Sequence, residues 1–548
     1  MAGISLKTRT LETDVLIIGG GAAGCYAGIM LGEHSQLSVV VADKADLRRS
    51  GCLAAGINAL NAYIGEGHTP QDYVDYCMQD AEGIARPDLL LSMAVLLNEV
   101  TEDLERRGLT ILKDSDGRYV TRGWRNVKIN GENLKPILAG HLQAQPADRV
   151  RILAHVNMTD LLTETDATGR KIVTGAVGFD LRTPVVYVIH ARAVLIATGG
   201  AAGLYRPRNP GAQAHRMWYC PFNTGAGLAM GGLAGAELTT LEMRYVALRC
   251  KGTVAPVGTI AQGVGARQIN SRGEVYENQY GLTTAKRLWG TVEEERAGRG
   301  PCFLRTTGIS EAQQEELYRA YLNMAPAQTL LWLARGGPAE TDVAIEGSDP
   351  YIVGGHAAAG FWVDTGRRTT LPGLYAAGDV AGGAPQKYVT GVLAEARIAA
   401  ESIMRDLADT SGFPRGRSVI TAGDGHETGT APASDAAAPV LVRYRAHLSA
   451  ESSIYTADGL EQAMQQVMDD NAGGIRTDYR YNTAGLRIAA RELERLTGLM
   501  SCVSAADMRA LLAVYELRER LWLAEALVAH LAERRETRWH GFQEYTDY

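Results

Sequence analysis

The chain has 548 residues, 46% of them hydrophobic and 21% charged, with a formal net charge of −7. That length predicts roughly two to four domains with room for a large buried cofactor, and the mildly acidic balance excludes a dedicated nucleic-acid-binding protein. No run approaches the ~20 consecutive apolar residues of a membrane span, and Met1–Glu12 lacks the apolar core of a secretion signal, so the expected location is cytoplasmic.

From the N-terminus, Asp14–Ile18 reads as a short apolar strand, Gly19–Gly24 as a tight turn, and Cys25–Leu31 as a helix. Glycines at 19, 21 and 24 have the G-x-G-x-x-G spacing. The first permits the turn, the second lets a pyrophosphate approach the backbone, and the third lets helix and strand pack closely. A second strand, Leu37–Ala42, leads to Asp43, near the place of a ribose-binding acid. Together they predict an α/β fold with a Rossmann-type dinucleotide-binding domain.

Residues 151–189 alternate short β-like runs with turn residues and predict an antiparallel sheet inserted beside the nucleotide fold. Ala193–Gly200 and Leu374–Asp379 are apolar strands ending in glycine, which would bring Gly378 and Asp379 to the flavin ribityl or phosphate region at the same sheet edge. Residues 203–353 break this pattern and predict a capping, substrate-holding domain between the two parts of the nucleotide domain, 1–202 and 354–410. The Gly/Ser/Thr/Pro-rich stretch 411–438 predicts a linker, and helical spacing over 439–548 predicts a C-terminal helical bundle, with Trp539, Phe542, Tyr545 and Tyr548 packing the tail down. The seven cysteines, Cys25, Cys52, Cys77, Cys220, Cys250, Cys302 and Cys502, are scattered. That predicts buried reduced thiols and no metal or iron–sulfur site within the chain, so any one-electron chemistry would require a separate iron–sulfur subunit.

With these motifs in place, the chain resembles the fumarate reductase and succinate dehydrogenase flavoprotein superfamily, which includes L-aspartate oxidase and the alpha subunit of adenylylsulfate reductase. The carriers are the glycine turn, Arg49-Ser50-Gly51 leading to Ala54–Ala59, the Gly199-Gly200 strand end, His356, Gly378-Asp379, and Glu536–Trp539. The resemblance implies FAD as cofactor, bound by Gly19, Gly21, Ala22, Ala23, Gly24, Asp43, Lys44, Arg49, Ser50, Gly51, Gly56, Thr198, Gly199, Gly200, Gly378, Asp379 and Glu395. Membrane-bound members attach FAD to a histidine where this chain has Ser50 and Gly51, which implies non-covalent FAD here.

Fumarate reductases place a proton-donating arginine where this chain has Gln262, which cannot deliver a proton. The segments Arg206–Arg208, Arg216–Tyr219, Ala236–Thr239, Arg244–Val246 and Pro256–Gly258 look instead like the adenylylsulfate reductase alpha branch. In that branch reduced flavin attacks the sulfur of adenylylsulfate, releasing sulfite and AMP. The match implies Arg249 and Lys387 as charges for the sulfo group, Trp218 as a flat wall, Asn61 as an orienting amide and His356 as a hydrogen-bonding group. Glu132 reads equally as a pocket acid or a surface turn. The implied partners are a small anionic substrate, adenylylsulfate or AMP with sulfite, and a separate iron–sulfur electron-transfer subunit. The alternatives are a fumarate reductase-like flavoenzyme acting on another small anion, and a noncatalytic electron-transfer flavin subunit.

Overall fold

The computed structural model describes residues 4–166, 168–208, 217–408, 436–449, 454–538 and 544–548. Arg216, Trp539, Phe542 and nearly all of the linker expected at 411–438 lie outside the described residues.

The N-terminal unit folds as the glycine spacing predicts. Strand β1 (Lys7–Ile18) ends in the buried run Val15–Ile18, helix α1 (Ala22–His34) follows, and β2 (Val39–Asp43) is buried throughout. Continuous apolar runs of this kind belong to parallel strands covered on both faces. Helix α2 (Leu134–Gln143) leads to β3 (Val150–Ala154), which pairs parallel with β2.

Three long strands follow: β4 (Val156–Thr165), β5 (Lys171–Asp180) and β6 (Val185–Ile196). They form the antiparallel strands expected over 151–189, and these are continuous with the nucleotide sheet. They are antiparallel among themselves, but β6 pairs in parallel with β1 along its whole length, so one sheet runs β3-β2-β1-β6-β5-β4. The reason is the length of β6. The other edge of this twelve-residue strand takes β5 over Val186–His190 and then the parallel strand Leu374–Ala376 over Val194–Ile196. The parallel register aligns Ile18 with Ala42 and with Ile196, and Ile196 with Ala376. Gly19, Asp43, Ala197 and Ala377 therefore leave the sheet at one edge, where open α/β sheets bind ligands.

A second hydrophobic cluster, drawn from Val246 to Ile345 with Tyr479, forms around a small antiparallel sheet of β7 (Leu248–Cys250), β8 (Gln268–Ile269), β9 (Cys302–Leu304) and β10 (Val343–Gly347). It is separate from the main core. The chain returns to the nucleotide sheet through β11 (Leu374–Ala376) and helix α3 (Tyr388–Ala408), which packs against α1.

The C-terminal helices α4 (Ala438–Ser449), α5 (Ala457–Asn471), α6 (Thr483–Leu499) and α7 (Met508–Glu533) share the main core rather than building one of their own. Helix α7 lies on the helix Ala226–Ala234, close enough that a Cβ at Gly232 would sit 2.0 Å from the Trp522 ring. No helix among the described residues is long and apolar enough to cross a membrane.

The cysteines divide. Cys25, Cys77, Cys250 and Cys302 are buried as expected, but Cys52 and Cys502 are exposed and Cys220 is half-buried. The scattered spacing carried no information about which segments meet. Among the described residues no group of His, Cys, Asp or Glu is arranged to hold a metal ion.

Candidate active site

A cavity of about 1240 Å³ opens along the C-terminal edge of the nucleotide sheet and runs to the second cluster. Ordinary small-molecule pockets measure roughly 300–1,000 Å³. This one has room for a dinucleotide and a second ligand.

At one end lies the glycine turn. Gly19 has φ +102°, and a Cβ there would meet the Ala197 carbonyl at 2.6 Å. At Gly24 a Cβ would stand 1.8 Å from the Gly19 carbonyl oxygen, so the third glycine is what brings α1 against β1. A Cβ at Gly21 would meet nothing closer than 3.9 Å, which leaves the backbone open to a phosphate. The first turn of α1, Ala22 and Ala23, lines the cavity, and its cap Gly21 supplies no side chain, so its amides and dipole face an anion site.

The Gly20 carbonyl is held from the other side by three donors: Ser50 Oγ at 2.7 Å, Cys25 Sγ at 3.2 Å and the buried Lys135 Nζ at 2.6 Å. Lys135, on α2, escaped the sequence reading, although a lone lysine in the apolar helix LKPILAGHLQ was the available signal. Lys135→Met should leave the fold intact but weaken FAD binding about tenfold, because a buried cation behind the phosphate turn is lost. Equilibrium dialysis of FAD against the apoprotein checks it.

Asp43 lines the cavity while its Oδ2 accepts from the Gly20 amide at 2.5 Å and its Oδ1 from the Ala45 amide at 2.6 Å. Lys44 reaches Glu516 of α7 at 2.7 Å, and both border the cavity. Arg49 is exposed on the wall, followed by Ser50, Gly51 and Gly56. Thr198 and Gly199 continue the lining. Gly200 does not reach it; its amide donates to Tyr219 Oη at 2.8 Å, and that hydroxyl donates to Asp379 Oδ2 at 2.8 Å. Burial raises the Asp379 carboxyl above its ordinary value, opposed by this hydrogen bond and by Lys387. A Cβ at Gly355 would stand 1.9 Å from Asp379 Oδ1, so glycine is required there.

Toward the second cluster the lining becomes aromatic. Trp218, Tyr245, Tyr388 and His356 form a box in which the His356 ring lies 5.0, 4.6 and 5.2 Å from the other three. The Arg249 guanidinium stands 4.2 Å over Trp218. Two other cavity arginines are matched by acids, Arg122 by Glu316 at 3.3 Å and Arg287 by Glu277 at 3.0 Å. Arg249 is 6% exposed and has no acidic partner among the described residues; burial pulls it down to about 10, so it stays charged at neutral pH. Burial, reinforced by Arg249, pushes His356 down to about 3, which makes it a neutral hydrogen-bonding group and not an acid. Asn61, Asn58 and Gln262 also line this end, and Arg125 lies 3.7 Å over the Tyr76 ring.

Three residues singled out in the sequence face elsewhere. Lys387 is fully buried and turned away from the cavity, donating to the carbonyls of Gly378 at 3.0 Å and Ala381 at 2.6 Å and pairing with Glu395 at 2.9 Å. Glu395 pairs in turn with Arg367 and accepts from the Gly378 amide at 3.1 Å. A buried cation is retained where an acid and carbonyls surround it, and this lysine and glutamate shape the Gly378-Asp379 turn from behind the cavity wall. Glu132 is exposed in its turn and lies off the cavity wall.

Behind Trp218, its amide donates to Tyr351 Oη at 3.1 Å, which donates to Asp349 at 3.1 Å. Burial lifts Asp349 to about 7, and likewise Glu519 of α7, from 4.5 to about 7. A carboxyl raised in the folded state stabilises most below its unfolded pKa, and that stability is lost as pH rises toward the folded value. From about pH 5 to about pH 8, Glu519→Gln should therefore gain about 3 kcal/mol on wild type, read from denaturant melts at both pH values.

Four buried polar atoms of cavity residues lack a hydrogen-bond partner among the described residues: Asn157 Nδ2, Thr198 Oγ1, Arg249 Nε and His356 Nδ1. Together with the open glycine turn they fit a dinucleotide at one end and an anionic ligand at the other. The family model described as FAD binding domain matches residues 14–388. The chain belongs to this FAD-binding family. It is a FAD-dependent oxidoreductase that resembles the adenylylsulfate reductase alpha subunit.

The flavoprotein is 27% identical to the adenylylsulfate reductase subunit alpha of Megalodesulfovibrio gigas, over 98% of this chain and 91% of that one. Its fold superposes on adenylylsulfate reductase of Archaeoglobus fulgidus with a TM-score of 0.90 and 32% identity, covering 99% of this chain and 92% of that one. The same values hold for an adenosine-5-phosphosulfate reductase in complex with sulfite as a covalent adduct.

Proposed function

We propose that this flavoprotein interconverts adenylylsulfate with sulfite and AMP. The observation that carries the reading is Arg249, a desolvated guanidinium without an acidic partner among the described residues, set over Trp218 beside a neutral His356. A sulfo group gains negative charge as its S–O bond to AMP breaks, and a preorganised cation in a water-poor site stabilises that charge. Trp218 and Tyr245 offer flat faces, and Asn61 and His356 orient oxygen atoms by neutral hydrogen bonds. Bound FAD supplies the two electrons. Lys387 has no part in this chemistry; it holds the turn carrying Asp379.

Gln262 lies on the same wall, and its amide protons are far too weakly acidic to protonate a carbanion, which weighs against fumarate chemistry. A cavity with an unpaired cation also weighs against a purely relaying flavin subunit. We propose a separate iron–sulfur protein as electron partner, a cytoplasmic location, and a division into nucleotide domain (1–202 and 354–410), cap (203–353) and C-terminal helical region (439–548).

The deciding experiment adds sulfite to the anaerobic, oxidised holoprotein with and without AMP and follows the flavin spectrum. Bleaching promoted by AMP, with adenylylsulfate formed in the presence of an electron acceptor, supports the assignment. Bleaching indifferent to AMP and without product overturns it. Acid precipitation of the same sample should release FAD into the supernatant without proteolysis, since Ser50 and Gly51 offer no histidine for attachment.

A further inference from the structure

Cys52 and Cys220 come from remote parts of the chain and meet on the cavity wall. Cys52 opens the short 3-10 turn Cys52–Ala55, flanked by Gly51 at φ +77° and Gly56 at φ +79°. Cys220 follows Tyr219, the residue bound to Asp379, and precedes Thr224, which bonds to Glu519. The Cys220 amide donates to Cys52 Sγ at 3.3 Å. With an N–Cα bond of about 1.46 Å, the Cys220 Cα lies within about 4.8 Å of that sulfur, inside disulfide reach after a small rotation.

We propose that Cys52 and Cys220 are a redox-active thiol pair whose disulfide staples the two walls of the cavity together over the FAD. The pair lines the cavity between Lys44 and Asp379, beside the dinucleotide turn. The two thiols also differ. A hydrogen bond from Cys52, then the Phe222 amide, Lys44 and the Asn223 amide, bring Cys220 down to about 7, while the same hydrogen bond raises Cys52. Cys220 is the nucleophile and Cys52 the resolving thiol.

The oxidant is a low-molecular-weight disulfide. The Cys220 thiolate attacks one of its sulfurs and expels the first thiolate. Cys52, giving up its proton, then attacks the Cys220 sulfur and expels the second. Two protein thiols and one small disulfide become one protein disulfide and two small thiols.

The test uses FAD-loaded protein incubated with glutathione disulfide or with dithiothreitol. Each sample is unfolded, alkylated and mapped by peptide mass spectrometry, and FAD release on dilution is followed by flavin fluorescence. The expected result is a Cys52–Cys220 linked peptide, loss of both thiols together, and FAD release slowed roughly tenfold and restored by dithiothreitol. Cys52→Ser and Cys220→Ser should release FAD at one rate in either condition, and exposed Cys502 is the internal control for unspecific oxidation. The proposal is overturned if both thiols stay free or each carries its own glutathione. It is equally overturned if the linked peptide forms and FAD release is unchanged. Neither outcome bears on the sulfite and AMP experiment.

Discussion

Arg249→Met is expected to lower kcat/KM for adenylylsulfate by about three orders of magnitude while thermal stability holds or rises. The two directions separate a functional residue from a structural one. Arg249 lines the cavity, has an orphaned Nε and has no acidic partner among the described residues, so the Trp218 ring offsets only part of the desolvation cost of its charge. Methionine fills similar volume without that cost, and no carboxylate is left stranded by the change. The loss falls instead on the step in which sulfo oxygens gain charge. Anaerobic turnover assays paired with calorimetric melts and a flavin-to-protein ratio decide the matter. A parallel fall in stability and activity would assign Arg249 to the fold alone.

Gly24→Ala is the second large effect. The new methyl would stand 1.8 Å from the Gly19 carbonyl oxygen and 3.0 Å from the carbonyl carbon, both backbone atoms of the turn itself. Since backbone cannot yield as a flexible side chain does, α1 must move off β1. The expected cost is about 3 kcal/mol or more, with loss of bound FAD. Gly140→Ala is the matched control. Its Cβ would meet nothing within 4 Å and it lies inside α2, so stability should be unchanged or rise by about 1 kcal/mol. Flavin absorbance at purification and urea midpoints read both.

The nucleotide fold was legible because its demands are local. A strand, a glycine at each of three fixed places, a helix and a following acid must lie within one short stretch, and the structure realises each with the close approaches those glycines allow. Asp43 stands where its strand predicts it, and two backbone amides hold its carboxylate. Trp218, Arg249, His356 and Asn61, carried over by resemblance, do line one cavity.

Other residues show where that reasoning stops. Nothing in the sequence around Lys387 says whether its ammonium faces a ligand or Glu395, because the answer depends on an acid two turns further along a buried helix and on the carbonyls of a loop folded beneath it. Lys135 meets Gly20, Cys52 meets Cys220 and Lys44 meets Glu516 across more than a hundred residues each. The pairing of β6 with β1 joins the antiparallel strands to the nucleotide sheet, a link that turn residues alone do not specify.

By itself the sequence determined the FAD-binding turn and the sheet edge that presents it, because backbone geometry at glycine and the alternation of buried strand and helix are encoded residue by residue. The tertiary structure alone decided which cations are paired with acids and that Arg249 is left buried beside the cavity without one among the described residues, since a side chain's partner is chosen by packing between segments that sequence order does not relate.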